Sequence, residues 1–233
     1  LIQIGTNLHN DVSDFERGAD TPDRLGPPRA TAMGWLPAAT VRRGAWGAFL
    51  LAFLFGIVLV WHGGWPIVAI GLCSLAAGWA YTGGPKPIAY TPLGELFVLV
   101  FFGLCAVGGS YYLQTMSLSP FAIWTSLALG SFAAAVISVN NTRDLVTDAR
   151  VGKRTLAVRL GRGAMDRVYA LELALPFALL PLVLRDAWSL VPWAALLAAL
   201  PMLRRFRSAR AGEEFNRLLA GTARLQAIYA AFL

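Results

Sequence analysis

The sequence predicts an all-α, polytopic transmembrane helical bundle. Hydrophobic residues make up 57% of the 233 residues and charged residues only 14%, a balance that soluble domains do not normally show. Apolar runs of membrane-spanning length, about 20 residues each, recur along the chain. The basic residues then alternate between connections. Nineteen of the 20 Lys and Arg residues lie in loops around 15–43, 84–91, 142–167 and 204–217 or at Arg224, and the remaining connections carry only Arg185. By the positive-inside rule the basic loops face the cytoplasm, so the multi-pass chain is expected in the cell (inner) membrane. The net charge of +7 is then a topology signal and does not point to nucleic acid.

In chain order, Leu1 to about Asp14 reads as the last part of a helix. The connection from Phe15 to Arg43 holds Gly18, Pro22, Gly26, Pro27, Pro28 and Gly34, which breaks helical continuity and marks a structured cap. Within it Thr21-Pro22-Asp23-Arg24 reads as a helix start, with Thr21 as N-cap. Full spans are expected at roughly 44–62, 65–83, 95–117, 120–141, 167–184 and 187–203. In the connection 150–167, the periodic Leu156, Val158 and Leu160 suit a short amphipathic helix at the membrane surface. Leu218 to Leu233 reads as the first part of a last helix. Residues 1–233 form one domain, and with a helix cut at each end the sequence reads as a fragment.

Chemistry enters where apolar runs meet basic loops. Asn140, Asp144 and Asp148 are spaced as one helical stripe, and Asn7, Asn10, Asp11 and Asp14 make a second. A shift of 130 residues lays Asn10 on Asn140, Asp11 on Asn141 and Asp14 on Asp144, a weak internal repeat of the sort that places membrane sites between halves. An Asp facing mid-bilayer lipid costs about 2.5–3.5 kcal/mol on insertion scales, or on the order of 10 kcal/mol for Asp11, Asp14, Asp144 and Asp148 together. These groups must therefore face a wet cavity or the interface. Oxygen ligands without neighbouring His or Cys suit Mg²⁺ shared with substrate phosphates. Charge counting with Asp20 included leaves a bound diphosphate in need of cations, and Arg24, Lys86, Arg143, Lys153 and Arg154 are available on the same side. If the donor lipid is allylic, loss of diphosphate leaves a delocalised cation that aromatic faces stabilise. Tyr81, Tyr90, Phe97, Phe101, Phe102, Tyr111 and Tyr112 are candidates by position.

At this point the motifs match a known family. Asn7-x-x-Asn10-Asp11-x-x-Asp14-x-x-x-Gly18-x-Asp20, followed by Asp23-Arg24-x-Gly26-Pro27-x-Arg29, resembles the first signature of the intramembrane aromatic prenyltransferases of the UbiA superfamily. Asn141-x-x-Asp144-x-x-x-Asp148-x-x-x-Gly152-Lys153-x-Thr155-Leu156 resembles the second. Tyr81-Thr-Gly-Gly-Pro-Lys86-Pro and Leu93-Gly-Glu-Leu-Phe-Val resemble the loop and helix between them. Gly18 with the acid at Asp20, the Arg-x-Gly-Pro-x-Arg run and Gly152 to Gly161 are similar to the branch acting on 1,4-dihydroxy-2-naphthoate.

The resemblance implies nine helices around a central cavity, of which about seven to eight are present here. It also implies Mg²⁺-dependent transfer of a polyprenyl group from polyprenyl diphosphate to dihydroxynaphthoate, with loss of CO₂ and diphosphate, to give demethylmenaquinol. By the same resemblance Asp11, Asp14, Asp144 and Asp148 hold Mg²⁺ and diphosphate, supported by Asn7, Asn10 and Asn141. Lys86 and Lys153 contact diphosphate, and Tyr81 lies near the reacting carbons.

Several residues read more plainly. Glu95 follows Gly94 at a helix start, where the dipole favours an acid. Glu172 lies about a turn inside a span and is a suspect for function. Cys73 and Cys105 read as small core residues, and neither His9 nor His62 is needed by this chemistry.

Rival readings are a CDP-alcohol phosphatidyltransferase, whose Asp-Gly and Ala-Arg signature is lacking, and a membrane cation transporter, which would need polar groups at mid-span. Another aromatic acceptor, of the 4-hydroxybenzoate, homogentisate or haem type, keeps the same mechanism.

Overall fold

The computed structural model describes residues 1–20, 25–183 and 192–233. Its helices are α1 (Ile2–Glu16), α2 (Ala38–Gly63), α3 (Trp65–Ala80), α4 (Gly94–Thr115), α5 (Pro120–Arg143), the short α6 (Leu145–Arg150) and α7 (Leu156–Leu160), α8 (Arg162–Val183), α9 (Ala194–Ser208) and α10 (Gly212–Ala231). No strand occurs among the described residues. Helices α2, α4 and α5 are long and apolar enough to cross a membrane, with hydropathies of 2.2, 2.0 and 1.8. The protein is an all-α, multi-pass membrane protein, and the exposed Leu50, Leu54, Val58 and Trp61 of α2 form a face for lipid.

Helix ends depart from the expected spans for local reasons. Helix α3 stops at Ala80 because Tyr81-Thr82-Gly83-Gly84 turns the chain, with Gly84 at φ 73°, a conformation that suits glycine. Helix α8 begins at Arg162, earlier than expected, straight after Gly161 at φ 77° closes α7. Helix α10 begins at Gly212, where Glu214 accepts from the backbone N–H groups of Arg210 (2.6 Å) and Ala211 (3.1 Å) and so satisfies donors that a helix start leaves open. Short α7 forms as expected, with the Thr155 hydroxyl accepting from Val158 N–H. The helix start expected at Thr21 to Arg24, together with Arg185, lies outside the described residues.

Helix α5 is the axis of the bundle. Of its most apolar window 67% is buried, against 17% in α2 and 22% in α4. Its small residues let neighbours approach closely. A Cβ on Gly103 of α4 would stand 2.4 Å from Ser126 O, and one on Gly130 would stand 2.6 Å from Leu99 O. Around this crossing, Leu99–Gly108 of α4 is wound as a π-helix.

On the opposite side of α5, Pro176 inside α8 has no N–H to give the Glu172 carbonyl one turn earlier. Ser131 Oγ of α5 donates to that carbonyl at 2.8 Å instead. Phe132, Phe177 and Tyr229 meet edge to face, and Tyr229 Oη donates to Pro176 O at 2.7 Å. These contacts fasten α5, α8 and α10 into the core that carries the second acidic segment.

The first segment is carried by α1 against α2 and α3. Gly5 lies under the Phe49 ring, and Gly78 faces Thr6 where a Cβ would be 2.6 Å from its hydroxyl. That close packing brings Asn10 to Thr82, whose Oγ1 donates to Asn10 Oδ1 at 2.6 Å.

Candidate active site

On α1, Asn7, Asn10 and Asp14 share a face and line a cavity of ≈ 1020 Å³. Asp11 points elsewhere. Its two carboxylate oxygens accept from the backbone N–H groups of Ala30 (2.9 Å) and Thr31 (3.0 Å), so it holds the returning loop against α1. That loop brings in Arg29, whose Nη1 donates to Asn10 O at 2.6 Å and pairs with Asp14 Oδ2 at 3.0 Å and Asp20 Oδ2 at 3.5 Å.

The second segment reaches the same cavity from α5. The expected single stripe is bent at Asp144, which sits between α5 and α6 at φ −92°, ψ 6°. Backbone bonds from Asp144 N–H to Asn140 O (3.1 Å) and from Asp148 N–H to Asp144 O (2.8 Å) carry the spacing through the bend. Asn140, Asn141, Asp144 and Asp148 all line the cavity.

Arg143, expected to meet substrate, does not line the cavity. It grips Asp144 bidentately, Nε to Oδ1 at 2.7 Å and Nη2 to Oδ2 at 2.6 Å. It also donates to Asn140 Oδ1 and to Asn216 Oδ1 of α10, each at 2.7 Å. Such a fork fixes the carboxylate plane, so Arg143 orients Asp144 and ties α5 to α10.

Lys153 stands between the two segments. Its Nζ is 3.6 Å from Asp14 Oδ2 and 3.5 Å from Asp148 Oδ1, and it lies over the Tyr90 ring. Burial lifts the Asp148 carboxyl to about 6, against the pull of Lys153, and the nearby Asp144 adds to the rise. Burial and then Asp14 push the Tyr90 phenol up to about 12, and burial, then Glu95, raise Tyr81. Both phenols are therefore neutral hydrogen-bonding groups near neutral pH.

Tyr81, Phe97, Phe101 and Phe102 line the cavity, whereas Tyr90, Tyr111 and Tyr112 do not. Neither do Lys86 and Arg154, both exposed, although Arg154 N–H donates to Tyr90 O at 3.1 Å. Asp20 is enclosed behind Arg29, and Arg24 lies outside the described residues.

Arg29 and Thr82 line the cavity without having been among the expected site residues. Arg29 belongs to the Arg-x-Gly-Pro-x-Arg run, so its pattern was the available signal; Thr82 had none beyond its place beside Tyr81. Glu95, which reads from sequence as a helix-start acid, is buried and accepts from Asn141 Nδ2 at 2.9 Å.

The cavity is polar at the end where both segments meet. Further in it is lined by Phe53, Ile57, Val60, Leu75, Phe101 and Leu113. Among the described residues no three His, Cys, Asp or Glu side chains converge as a ready metal cage. At the polar end the side chains that could hold a metal are carboxylates and amides, beside the cations Arg29 and Lys153.

The UbiA prenyltransferase family matches residues 1–218. The chain belongs to that family. It is similar to 1,4-dihydroxy-2-naphthoate octaprenyltransferases of Haemophilus influenzae (40% identical, 72% of this chain and 56% of the relative), Mycobacterium tuberculosis (37%, 98% and 78%) and Escherichia coli (37%, 89% and 70%). The chain thus spans between about half and about four fifths of the length of these relatives. No solved structure matches it significantly. The resemblance carried by the two motifs is borne out. In this UbiA-family chain both motifs open on one cavity.

Proposed function

We propose that the protein transfers a polyprenyl group from polyprenyl diphosphate to 1,4-dihydroxy-2-naphthoate, with loss of CO₂ and diphosphate, to give demethylmenaquinol. The observation that carries this reading is the two-ended cavity. Charged and amide groups from both motifs gather at one end, and the other end is apolar. A lipid diphosphate has the same two ends. The acceptor is taken from the names of the relatives.

Arg29 and Lys153 would grip the diphosphate, Arg as a fork and Lys as a point charge. The fit to Mg²⁺ rests on Asp14 and Asp148, whose carboxylates are bridged by one ammonium, and on Asp144, which lines the same cavity. Such a site is completed by phosphate oxygens and water, as Mg²⁺ prefers. Bound there, Mg²⁺ would act as a Lewis acid on the departing diphosphate.

Asn7 and Asn10 support these groups. Asp11 and Arg143 act from behind, one by holding the loop that bears Arg29, the other by orienting Asp144. Tyr81 and the stacked pair Phe97 and Phe101, with centroids 5.7 Å apart, would face the allylic carbons and keep water from the cation. Lys86 and Arg154, both exposed, would meet the diphosphate from the entry side. We further propose that this end faces the cytoplasm in the cell membrane, as the basic loops require.

The test is prenyl transfer in membranes carrying the full-length protein, with labelled polyprenyl diphosphate, dihydroxynaphthoate and Mg²⁺, beside Asp144→Asn and a chelator. Labelled quinol that depends on dihydroxynaphthoate and vanishes in both controls supports the reading. Product from 4-hydroxybenzoate instead overturns the acceptor, and no transfer from folded protein overturns the reaction.

A further inference from the structure

Glu95 is 6% exposed at the start of an apolar helix. Its Oε1 accepts from Asn141 Nδ2 at 2.9 Å, while Oε2 is buried without a partner. An incompletely bonded carboxyl in such a place is costly and calls for a reason other than stability.

The bond to Asn141 supplies one. An amide has a donating and an accepting end. With Nδ2 drawn to Glu95, the carbonyl oxygen of Asn141 is the end left for the cavity that this residue lines. A carbonyl oxygen repels phosphate oxygens and receives a hydroxyl.

The surroundings support a hydroxyl. A Cβ built on Gly94 would be 3.9 Å from Asn141 Nδ2 and 3.9 Å from Tyr81 Oη, with nothing nearer. Gly94 therefore leaves an open floor between a phenol and an amide, both in the cavity wall. The cations Arg29 and Lys153 pair with Asp14, whereas the Asn141 amide pairs with Glu95.

We propose that Gly94, Tyr81 and Asn141 form the subsite for the hydroxylated aromatic acceptor, and that Glu95 is a positioning residue that turns the Asn141 carbonyl toward a ring hydroxyl. The inference rests on the prenyl-transfer reading and extends it to the side of the cavity that the acceptor occupies. Glu95 acts only through Asn141 and touches no reacting atom.

The experiment measures KM for dihydroxynaphthoate and for polyprenyl diphosphate separately, in Glu95→Leu, Glu95→Gln, Asn141→Ala and the Glu95→Leu/Asn141→Ala double variant, with thermal unfolding of each in detergent. Glu95→Leu should raise the acceptor KM up to about tenfold, the scale of one lost neutral hydrogen bond. The donor KM should hold within about twofold, and the melting temperature should not fall. Glu95→Gln, whose amide oxygen can still receive Asn141, should restore the acceptor KM. The double variant should match Asn141→Ala, since effects acting through one residue do not add.

A Glu95→Leu protein with wild-type acceptor KM overturns the inference while leaving the prenyl-transfer reading intact. A rise in donor KM instead assigns Asn141 to the diphosphate side and also overturns it. If Glu95→Leu fails to fold, Glu95→Gln and the Asn141→Ala comparison decide: an Asn141→Ala protein with unchanged acceptor KM overturns it. Should the wild type transfer to no aromatic acceptor, the underlying reading falls and the inference with it.

Discussion

Asp14 and Asp148 share one ammonium. One comes from the first motif and one from the second, and Lys153 Nζ lies 3.6 Å from the former and 3.5 Å from the latter. The side chains of all three are largely enclosed, at 3%, 12% and 14% exposure for Asp14, Asp148 and Lys153, so water screens the pair of carboxylates only weakly. Lys153 is therefore the group that lets the motifs approach in the absence of substrate.

Lys153→Gln is expected to lower kcat/KM for the polyprenyl diphosphate at least about 30-fold. Losing one partner of a buried, bonded charge pair costs about 2–5 kcal/mol, and about 1.4 kcal/mol is tenfold in rate. Donor titrations at saturating acceptor check it. An unchanged donor KM with a lower kcat would place Lys153 in the chemical step alone.

Asp148→Asn should melt higher than the wild type in ligand-free protein at neutral pH and should not transfer prenyl groups. Burial and the nearby Asp144 disfavour the Asp148 charge, so an amide relieves a cost that the folded chain carries for function. Thermal unfolding without substrate, read beside activity, tests both halves. A lower melting temperature would mean that Lys153 more than offsets that cost.

The same residues show what was legible beforehand. Helix positions followed from apolar run length, and the basic loops that both acidic stripes join led to the expectation that the two motifs lie on one side of the membrane. Spacing alone could not separate Asp11 from Asp14, because the two are one helical turn apart in α1; the difference is made by Ala30 and Thr31, whose N–H groups arrive from a loop of no fixed pattern. Arg143 likewise reads as a free cation until Asn216, far along the chain, is seen to receive it. Glu95 was hidden by a sufficient local explanation at a helix start. Local rules report what a residue can do within its own element, and these three are defined by partners in another.

Gly130→Ala should destabilise by about 1–3 kcal/mol, as overpacking does, since the new methyl would stand 2.6 Å from a backbone oxygen of α4 that has nowhere to move. Gly47→Ala on α2, where a Cβ meets nothing, is the matched control and should be near neutral. Unfolding in detergent measures the difference. Equal melting temperatures would show that α4 and α5 do not cross as closely as Gly103 and Gly130 indicate.

Glu172 gives the last test, because its position inside α8 allows either a role in function or a tolerated burial. Its Oε2 is buried without a hydrogen-bond partner, and the Ser138 hydroxyl is the polar group beside the carboxyl. The residue does not line the cavity; its backbone oxygen, already served by Ser131 Oγ, would be unaffected by a change of side chain. Replacing a buried, poorly bonded acid by an apolar residue of similar size removes the cost of an unsatisfied buried polar group, about 1–3 kcal/mol. Glu172→Leu should therefore raise the melting temperature, by roughly 2–4 °C per kcal/mol for a chain of this size, with prenyl transfer unchanged. Loss of transfer in a Glu172→Leu protein that melts no lower than wild type would show instead that a carboxyl in the seam between α5 and α8 is coupled to the reaction.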